Sequence, residues 1–289
     1  MSAKDITRYN IDIIIPIFLI LLAELLIFLG KPNAAMPIHA LNLILLILSS
    51  IYISNSIYPA LMLLPLFRLL NVAMPVFFDL TLYSYSMVYA PMFIPIYFLV
   101  KDGFVGRAEA GLTFKGFWFY LPLAISVGFA LGWGEYNVIH PQLMTPGASI
   151  KDVLILIITM IFFVGIVEEF IFRSSLQTVL EVRLGSKTGL LLASVIFGFM
   201  HSGYQLPLEL LYVSFAGAVF GLLFWLTKSL PVISLAHGVT NISLFLVVPL
   251  EPGTLIYFIL VPAIIFLFYA YVFKRKSGVG GNGKVHNRN

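Results

Sequence analysis

The sequence predicts an all-α polytopic membrane protein in which about eight transmembrane helices, within a range of seven to ten, surround an intramembrane polar cavity. Of the 289 residues, 60% are hydrophobic and only 10% are charged, whereas soluble domains carry about 25% charged residues. Apolar stretches of about 20 residues, the length that crosses a bilayer, alternate with short charged connectors. A few ionisable residues interrupt these stretches, where they are costly and call for a compensating use.

The spans follow one another along nearly the whole chain. The first is predicted to be retained, because Asp5 and Asp12 interrupt its basic flank and no small-residue cleavage site follows it. Residues 40–70 are too long for one straight span and contain the run SSIYISNSIYP, so they form either one tilted helix or two short ones. The predicted spans are residues 11–30, 40–70, 77–100, 117–134, 152–180, 188–203, 207–227, 230–248 and 254–273.

Basic residues indicate the orientation of the spans. Positive connectors face the cytoplasm, so the C-terminus is predicted to be cytoplasmic, whereas the connectors 134–151, 203–208 and 249–253 face outward. The basic residues that fall on the cytoplasmic side by parity are Lys101, Arg107, Lys115, Arg183, Lys187, Lys228 and the run KRK at 274–276.

Composition also excludes several classes of function. The chain has no cysteine, which excludes disulfides, thiol nucleophiles and cysteine metal sites. Its formal net charge is +4, but the basic residues lie in connectors and in the tail, where they act as topology signals. We therefore expect no nucleic-acid partner.

Two adjacent acids in the segment EEFIFR have different surroundings. Glu169 and Arg173 are four residues apart with the acid first, which is the favourable order for a helical ion pair. Glu168 is rotated about 100° from Glu169 and has no partner on its own helix. Because a low dielectric disfavours a lone carboxylate, Glu168 is a candidate proton acceptor near neutral pH.

Two further pairs project from single helix faces. Phe197 and His201 are four residues apart, as are His237 and Asn241. At 1.5 Å per residue, Glu168 and His201 lie roughly 20 Å from the cytoplasmic side, and the His237 pair lies roughly 12 to 18 Å from it. The four polar side chains are therefore predicted to meet in one layer.

Such a set of groups supports hydrolysis. A carboxylate and a histidine can activate water, while a second histidine and an amide can donate to an oxyanion. Ser174, Ser175 and Ser202 lie nearby, but the sequence contains no GxSxG elbow. Zinc is an alternative, because two histidines and a glutamate form a known ligand set; the absence of HExxH makes it the weaker one.

Two other classes of function stay open at this point. Buried acids and histidines also relay protons in transporters, although the chain has no internal repeat of the kind that many transporters show. A non-catalytic membrane scaffold that binds partner helices is the third alternative.

The motifs EExxxR at Glu168 to Arg173, FxxxH at Phe197 to His201 and HxxxN at His237 to Asn241 follow one another on successive apolar helices. In this order they resemble the CAAX protease and bacteriocin-processing family of intramembrane proteases, including the type II CAAX prenyl endopeptidases. The resemblance covers about residues 117–250. It implies a glutamate-type endopeptidase that needs no metal or other cofactor.

The resemblance also implies roles for individual residues. Glu168 and His201 would activate water, and His237 and Asn241 would stabilise the oxyanion. Glu169, Arg173 and Phe197 would be supporting residues.

The resemblance likewise implies a substrate class and a domain organisation. The substrate would be a peptide or a lipidated, for example prenylated, protein beside membrane lipid, and prenyl-specific members remove a C-terminal tripeptide from the cytoplasmic side. The active site would then open towards the cytoplasm. We divide the chain into N-terminal spans without a recognised motif (1–110), a catalytic membrane core (111–273) and a basic, glycine-rich, disordered cytoplasmic tail (274–289).

Other polar residues are interpreted as structural. Glu24 is expected to have a lumen-facing or partner-facing structural role, and Asp79 to lie at the membrane interface. His39 and His140 are assigned to connectors. Trp118 and Trp133 mark the two ends of one span as an aromatic belt.

Overall fold

The fold is all-helical in a computed structural model that describes residues 3–53, 55–73, 82–145 and 149–279. Regular structure within these ranges consists of helices alone, which confirms the predicted fold class. In chain order the helices are α1 (Ala3–Phe28), α2 (Pro32–Tyr52), α3 (Ile57–Ala73), α4 (Leu82–Tyr89), α5 (Phe93–Lys101), α6 (Phe117–Ile139), α7 (Ile150–Leu184), α8 (Ser186–Phe199), α9 (Pro207–Thr227), α10 (Leu230–Leu250) and α11 (Leu255–Val279).

Six helices in the described part of the chain are long and apolar enough to cross a membrane: α2, α6, α7, α9, α10 and α11. Shorter apolar helices, α3 and the segment Ile13–Phe28 of α1, accompany them. This arrangement confirms a polytopic membrane protein. Helix α8 has only 14 residues, a length of about 21 Å, so it ends before a full crossing.

The stretch 40–70 forms two helices, which decides between the two alternatives. Helix α2 ends before Ile53, whose backbone is extended, and the side chain of Asn55 accepts a hydrogen bond from the amide of Ile57 at 3.1 Å. Such a local bond competes with helical pairing and favours a break. The polar run within the stretch therefore separates two helices.

The predictions for the span 77–100, His39 and Asp79 have different outcomes in the structure. The span predicted at 77–100 is divided into α4 and α5 by the turn Ala90–Met92, which contains Pro91, a residue without a backbone donor. The assignment of His39 to a connector is wrong, because His39 is buried within α2. Asp79 lies outside the described residues.

Two further predictions concern the tryptophans of α6 and the C-terminal tail. Trp118 and Trp133 are exposed on α6, as an aromatic belt requires. Helix α11 continues to Val279, so the predicted tail begins with helix. Residues 280–289 lie outside the described part of the chain.

Helix α7 is continuous over 35 residues, but its hydrogen bonds depart from the α-helical pattern in two segments. The segments Thr159–Gly165 and Phe170–Gln177 are π-helical, and the α-helical turn Ile166–Glu169 lies between them. Another π-helical segment, Ser243–Val247, lies in α10. Although π-helical turns are rare in proteins, those that occur are often at functional sites. Their position on both sides of Glu168 and Glu169 therefore favours a functional role for this turn.

Small residues allow α7 and α10 to approach closely. A Cβ atom added to Gly165 would lie 2.5 Å from the carbonyl oxygen of Ser234, and one added to Gly238 would lie 2.5 Å from Cγ1 of Ile161. Close backbone approach through small residues is a general device of membrane helices. Here it places the acids of α7 beside the histidine of α10.

The N-terminal helices pack against the motif-bearing helices. Helix α1 contacts the turn Ser202–Tyr204, and α3 contacts the second π-helical segment of α7. Helix α4 contacts the first π-helical segment. Residues of α3 and α4 line the same cavity as residues of α6, α7 and α10.

We predict that Gly238→Ala weakens the fold, because its Cβ would overlap both the side chain and the Cα of Ile161, which lies 2.7 Å away. Overpacking of this kind costs about 1–3 kcal/mol, measurable as a lower unfolding temperature in detergent. Gly253→Ala is the matched control, since no atom lies within 4 Å of its added Cβ. Equal unfolding temperatures for both variants would contradict this account of the α7–α10 contact.

Candidate active site

The candidate residues line one cavity of about 340 Å³. All four side chains predicted to carry chemistry, Glu168, His201, His237 and Asn241, contribute to its wall. They come from α7, the residues after α8, and α10. The other lining residues are Phe67, Arg68, Asn71, Tyr85, Val88, Tyr89, Glu135, Met160, Val164, Phe172, Met200, Gly203, Tyr204 and Phe245.

Glu168 faces the cavity and is held by a tyrosine. Its Oε1 accepts a hydrogen bond of 2.5 Å from the hydroxyl of Tyr89. Its Oε2 lies 3.8 Å from Nε2 of His237, too far for a hydrogen bond. Glu168 thus has no partner on its own helix, as expected, but it receives one from α4 and keeps Oε2 directed at the cavity.

Glu169 is fully buried behind Glu168 and joins two helices. Its Oε2 accepts from Nε of Arg173 at 3.2 Å, which confirms the predicted ion pair within α7. Its Oε1 lies 2.7 Å from Nδ1 of His237. The interpretation that Arg173 alone accounts for Glu169 is therefore incomplete, because the same carboxylate also orients the histidine of α10.

Arg173 and Phe197 pack against each other beside the two histidines. The guanidinium carbon of Arg173 lies 4.8 Å from the ring centroid of Phe197, a cation–π distance. Both terminal nitrogens of Arg173 lack a hydrogen-bond partner within the described residues. The ring of Phe197 therefore supplies the neighbouring negative potential that these buried nitrogens require.

Phe197 also contacts both histidine rings. Its centroid lies 5.0 Å from that of His201 and 5.9 Å from that of His237, edge-on in both cases. Phe220 stacks on His237 at 5.1 Å. These contacts limit the rotation of the imidazoles.

His201 has a defined basic nitrogen. Its Nδ1 lies 3.0 Å from the carbonyl oxygen of Phe197. A carbonyl can only accept, so Nδ1 carries the hydrogen, and Nε2 of the neutral ring holds the lone pair. His201 can accept a proton at Nε2.

His237 has a different electrostatic environment. Its Nδ1 donates to Glu169, and Glu168 lies on its other side. Because Nδ1 carries a hydrogen, Nε2 is a second donor when the ring is protonated. Asn241 follows one helical turn later and lines the same cavity, so its side-chain amide and the His237 Nε2–H can act on one group.

The structure adds polar groups that the sequence interpretation did not include. Tyr89 and Arg68 line the cavity; the single arginine within the apolar stretch of α3 was an available signal, whereas Tyr89 is one of three tyrosines in the run LYSYSMVY. Glu135, assigned to an outward connector, is buried in the last turns of α6 and lines the cavity. Glu209, at the start of α9, is buried as well. Burial raises the pKa of the Tyr204 hydroxyl, so this cavity residue stays protonated.

Within residues 3–53, 55–73, 82–145 and 149–279, no group of three or more histidine, aspartate or glutamate side chains is arranged to hold a metal ion. Nδ1 of His237 contacts Glu169, and Nδ1 of His201 contacts the carbonyl of Phe197.

Comparison with known proteins gives one match. Residues 150–243 match the family model described as Type II CAAX prenyl endopeptidase Rce1-like. The matched segment begins with α7, contains all three motifs and confirms the family resemblance. The search of curated proteins and the search of solved structures gave no match.

We predict that Glu169→Gln destabilises the protein, because it leaves the buried guanidinium of Arg173 without a counter-charge. Breaking a buried pair by removing one partner costs about 3–5 kcal/mol. Unfolding temperature and yield of monodisperse protein are the measurements. Glu251→Gln, in an exposed connector, is the control, and an equally small effect of both substitutions would contradict the bridging role of Glu169.

Proposed function

We propose that this protein is an intramembrane endopeptidase in which Glu168 and His201 activate water to hydrolyse a peptide bond near a membrane anchor. The observation that carries the proposal is the convergence of Glu168, His201, His237 and Asn241 on one cavity between apolar helices. The Rce1-like match at residues 150–243 supports the same class of reaction.

The first step is the attack of water. We assign the role of proton acceptor to Oε2 of Glu168 or Nε2 of His201, and one of them takes a proton from water as the oxygen attacks the peptide carbonyl carbon. The C=O bond opens and its electron pair moves to oxygen. Tyr89 holds Oε1 of Glu168, which leaves Oε2 for the water.

The second step is the collapse of the tetrahedral intermediate. Nε2–H of His237 and the amide of Asn241 donate to the oxyanion, and preorganised donors of this kind are worth about 10²–10³ in kcat each. When the C–N bond breaks, the acid that took the proton from water returns it to the leaving amine. Glu169 keeps His237 oriented throughout this step.

We extend the proposal to a substrate class, on the strength of the matched family description. The substrate is a peptide or lipidated protein, and a prenylated C-terminal segment that loses its last three residues is the preferred case. A cavity of about 340 Å³ lies within the size range of ligand pockets, about 300–1,000 Å³. The basic connectors favour an opening towards the cytoplasm.

We predict that Glu168→Ala and His201→Ala each lower cleavage by at least about 10²-fold, the contribution of a positioned general base. The assay presents prenylated and unprenylated C-terminal peptides to the purified protein and identifies the products by mass. Glu251→Ala, in an exposed connector, is the matched control. Normal cleavage by folded Glu168→Ala and His201→Ala proteins would refute the mechanism.

The same variants distinguish the other classes of function. Uptake of a solute into proteoliposomes that depends on Glu168, without any cleavage, would indicate a transporter. A Glu168→Gln protein that retains every phenotype of the wild type would indicate a scaffold.

We propose that the reaction needs no metal. Incubation with a strong chelator, followed by removal of the chelator, is expected to leave the cleavage rate unchanged within about twofold, because side chains alone activate the water. The measurement pairs the rate with metal analysis of the purified protein. Activity that is lost with chelator, restored by zinc and accompanied by stoichiometric bound metal would overturn this assignment.

A further inference from the structure

A second buried polar cluster lies beside the cavity, built by helices outside the matched segment. Glu24 of α1 and Arg68 of α3 form a bidentate pair, in which Nε and Nη2 of Arg68 each lie 2.7 Å from a different oxygen of Glu24. His39 of α2 lies 3.3 Å from the same carboxylate. We refer to Glu24 and Arg68 together as the Glu24–Arg68 clamp.

Burial of this ion pair costs free energy, because both charged groups lose their hydration. Glu24 is fully buried, and Arg68 is 8% exposed. Charged groups in a low-dielectric interior lose their hydration, which mutual attraction offsets only when the geometry is good and the remaining hydrogen-bonding positions are satisfied. The fork of arginine meets that condition on a carboxylate, so the pair forms a rigid point within the membrane region.

Two bonds connect the clamp to the residues on either side of His201. Nη2 of Arg68 also donates to the carbonyl oxygen of Met200. The hydroxyl of Ser202 donates to Oε2 of Glu24 at 2.5 Å. His201 lies between these two anchored residues.

The backbone around His201 needs these two hydrogen bonds, because α8 has ended before it. Helix α8 ends at Phe199, and the last carbonyls of a helix have no partner within it. The carbonyl of Met200 is one of these groups, and Arg68 supplies its donor. The backbone of His201 has already left helical geometry, with φ −100° and ψ 15°. The bond from its Nδ1 to the carbonyl of Phe197 still connects the imidazole to α8, but the backbone on both sides of His201 needs support from other helices.

We propose that the Glu24–Arg68 clamp positions His201 for proton transfer, and that α1 and α3 are therefore part of the working enzyme. The inference rests on the proposed function, because it gives His201 the role of a base. Glu24, Arg68 and Ser202 are positioning residues that act through His201. A displacement of about 1 Å in a catalytic group can lower a rate about 10²-fold, so loss of one anchor changes turnover.

The experiment uses Ser202→Ala in the full-length protein, because this change removes one anchor and leaves the buried ion pair intact. We expect kcat to fall about tenfold with KM within about twofold, the pattern of an interaction needed only in the transition state. Ser194→Ala is the matched control: Ser194 is also buried, lies on α8 and donates its hydroxyl to the carbonyl of Leu190 in its own helix. We expect it to keep the wild-type kcat.

Repeating the substitution in a His201→Ala background separates positioning from general stability. If the clamp acts through His201, Ser202→Ala has no further effect on the residual rate of His201→Ala, because the two sites are coupled. An unchanged kcat for Ser202→Ala, or the same tenfold loss in both backgrounds, would overturn the proposal. Unfolding temperatures of all variants are measured in parallel.

Two further variants address the ion pair itself. Arg68→Lys keeps the charge but loses the fork, so we expect a lower kcat than in Ser202→Ala; Glu24→Gln is expected to lower the yield of folded protein. If both fail to fold, Ser202→Ala still decides the question. Failure of the proposed function has a different signature, since the wild type would then show no cleavage that depends on Glu168.

Discussion

The rest of the site depends on the two hydrogen-bonded contacts of the Glu169 carboxylate, with Arg173 and with His237. This carboxylate is fully buried among apolar helices, where an unpaired charge is too costly to persist. It is compensated twice, by Arg173 on its own helix and by His237 on α10. Because both partners are fixed by this single group, α7 and α10 have one workable register, and the small residues Gly165 and Gly238 make the required approach possible.

Helical geometry then separates the two neighbouring acids. Glu168 and Glu169 are about 100° apart around the helix, so one faces the cavity while the other faces the protein interior. The turn that carries them lies between two π-helical segments, where the pattern of backbone hydrogen bonds changes on either side. The interior acid orients His237, and the cavity acid keeps an oxygen free for chemistry.

Local spacing predicted the parts of the site that repeat along one helix. The four-residue separations placed Glu169 with Arg173 and His237 with Asn241 on common faces, and the depth estimate brought three helices to one layer. The fold class followed from composition and span length, whereas the stretch 40–70 stayed open between one tilted helix and two short ones until the structure showed two. The partners of these groups could not be predicted, because Glu24 and Arg68 are 44 residues apart in sequence, and Tyr89 is 79 residues from Glu168. The position of Glu135 was missed since α6 extends to Ile139, beyond the predicted end at residue 134.

These long-range partners show why the three motifs alone do not make a site. Tyr89 of α4 fixes the rotamer of Glu168, and Arg68 of α3 binds the segment that carries His201. Neither helix lies within the matched residues 150–243. In a low-dielectric interior each polar group needs a partner, and a motif of a few residues supplies only some of them. The N-terminal helices supply the rest, so the geometry of the cavity is a property of the whole bundle and not of its matched segment.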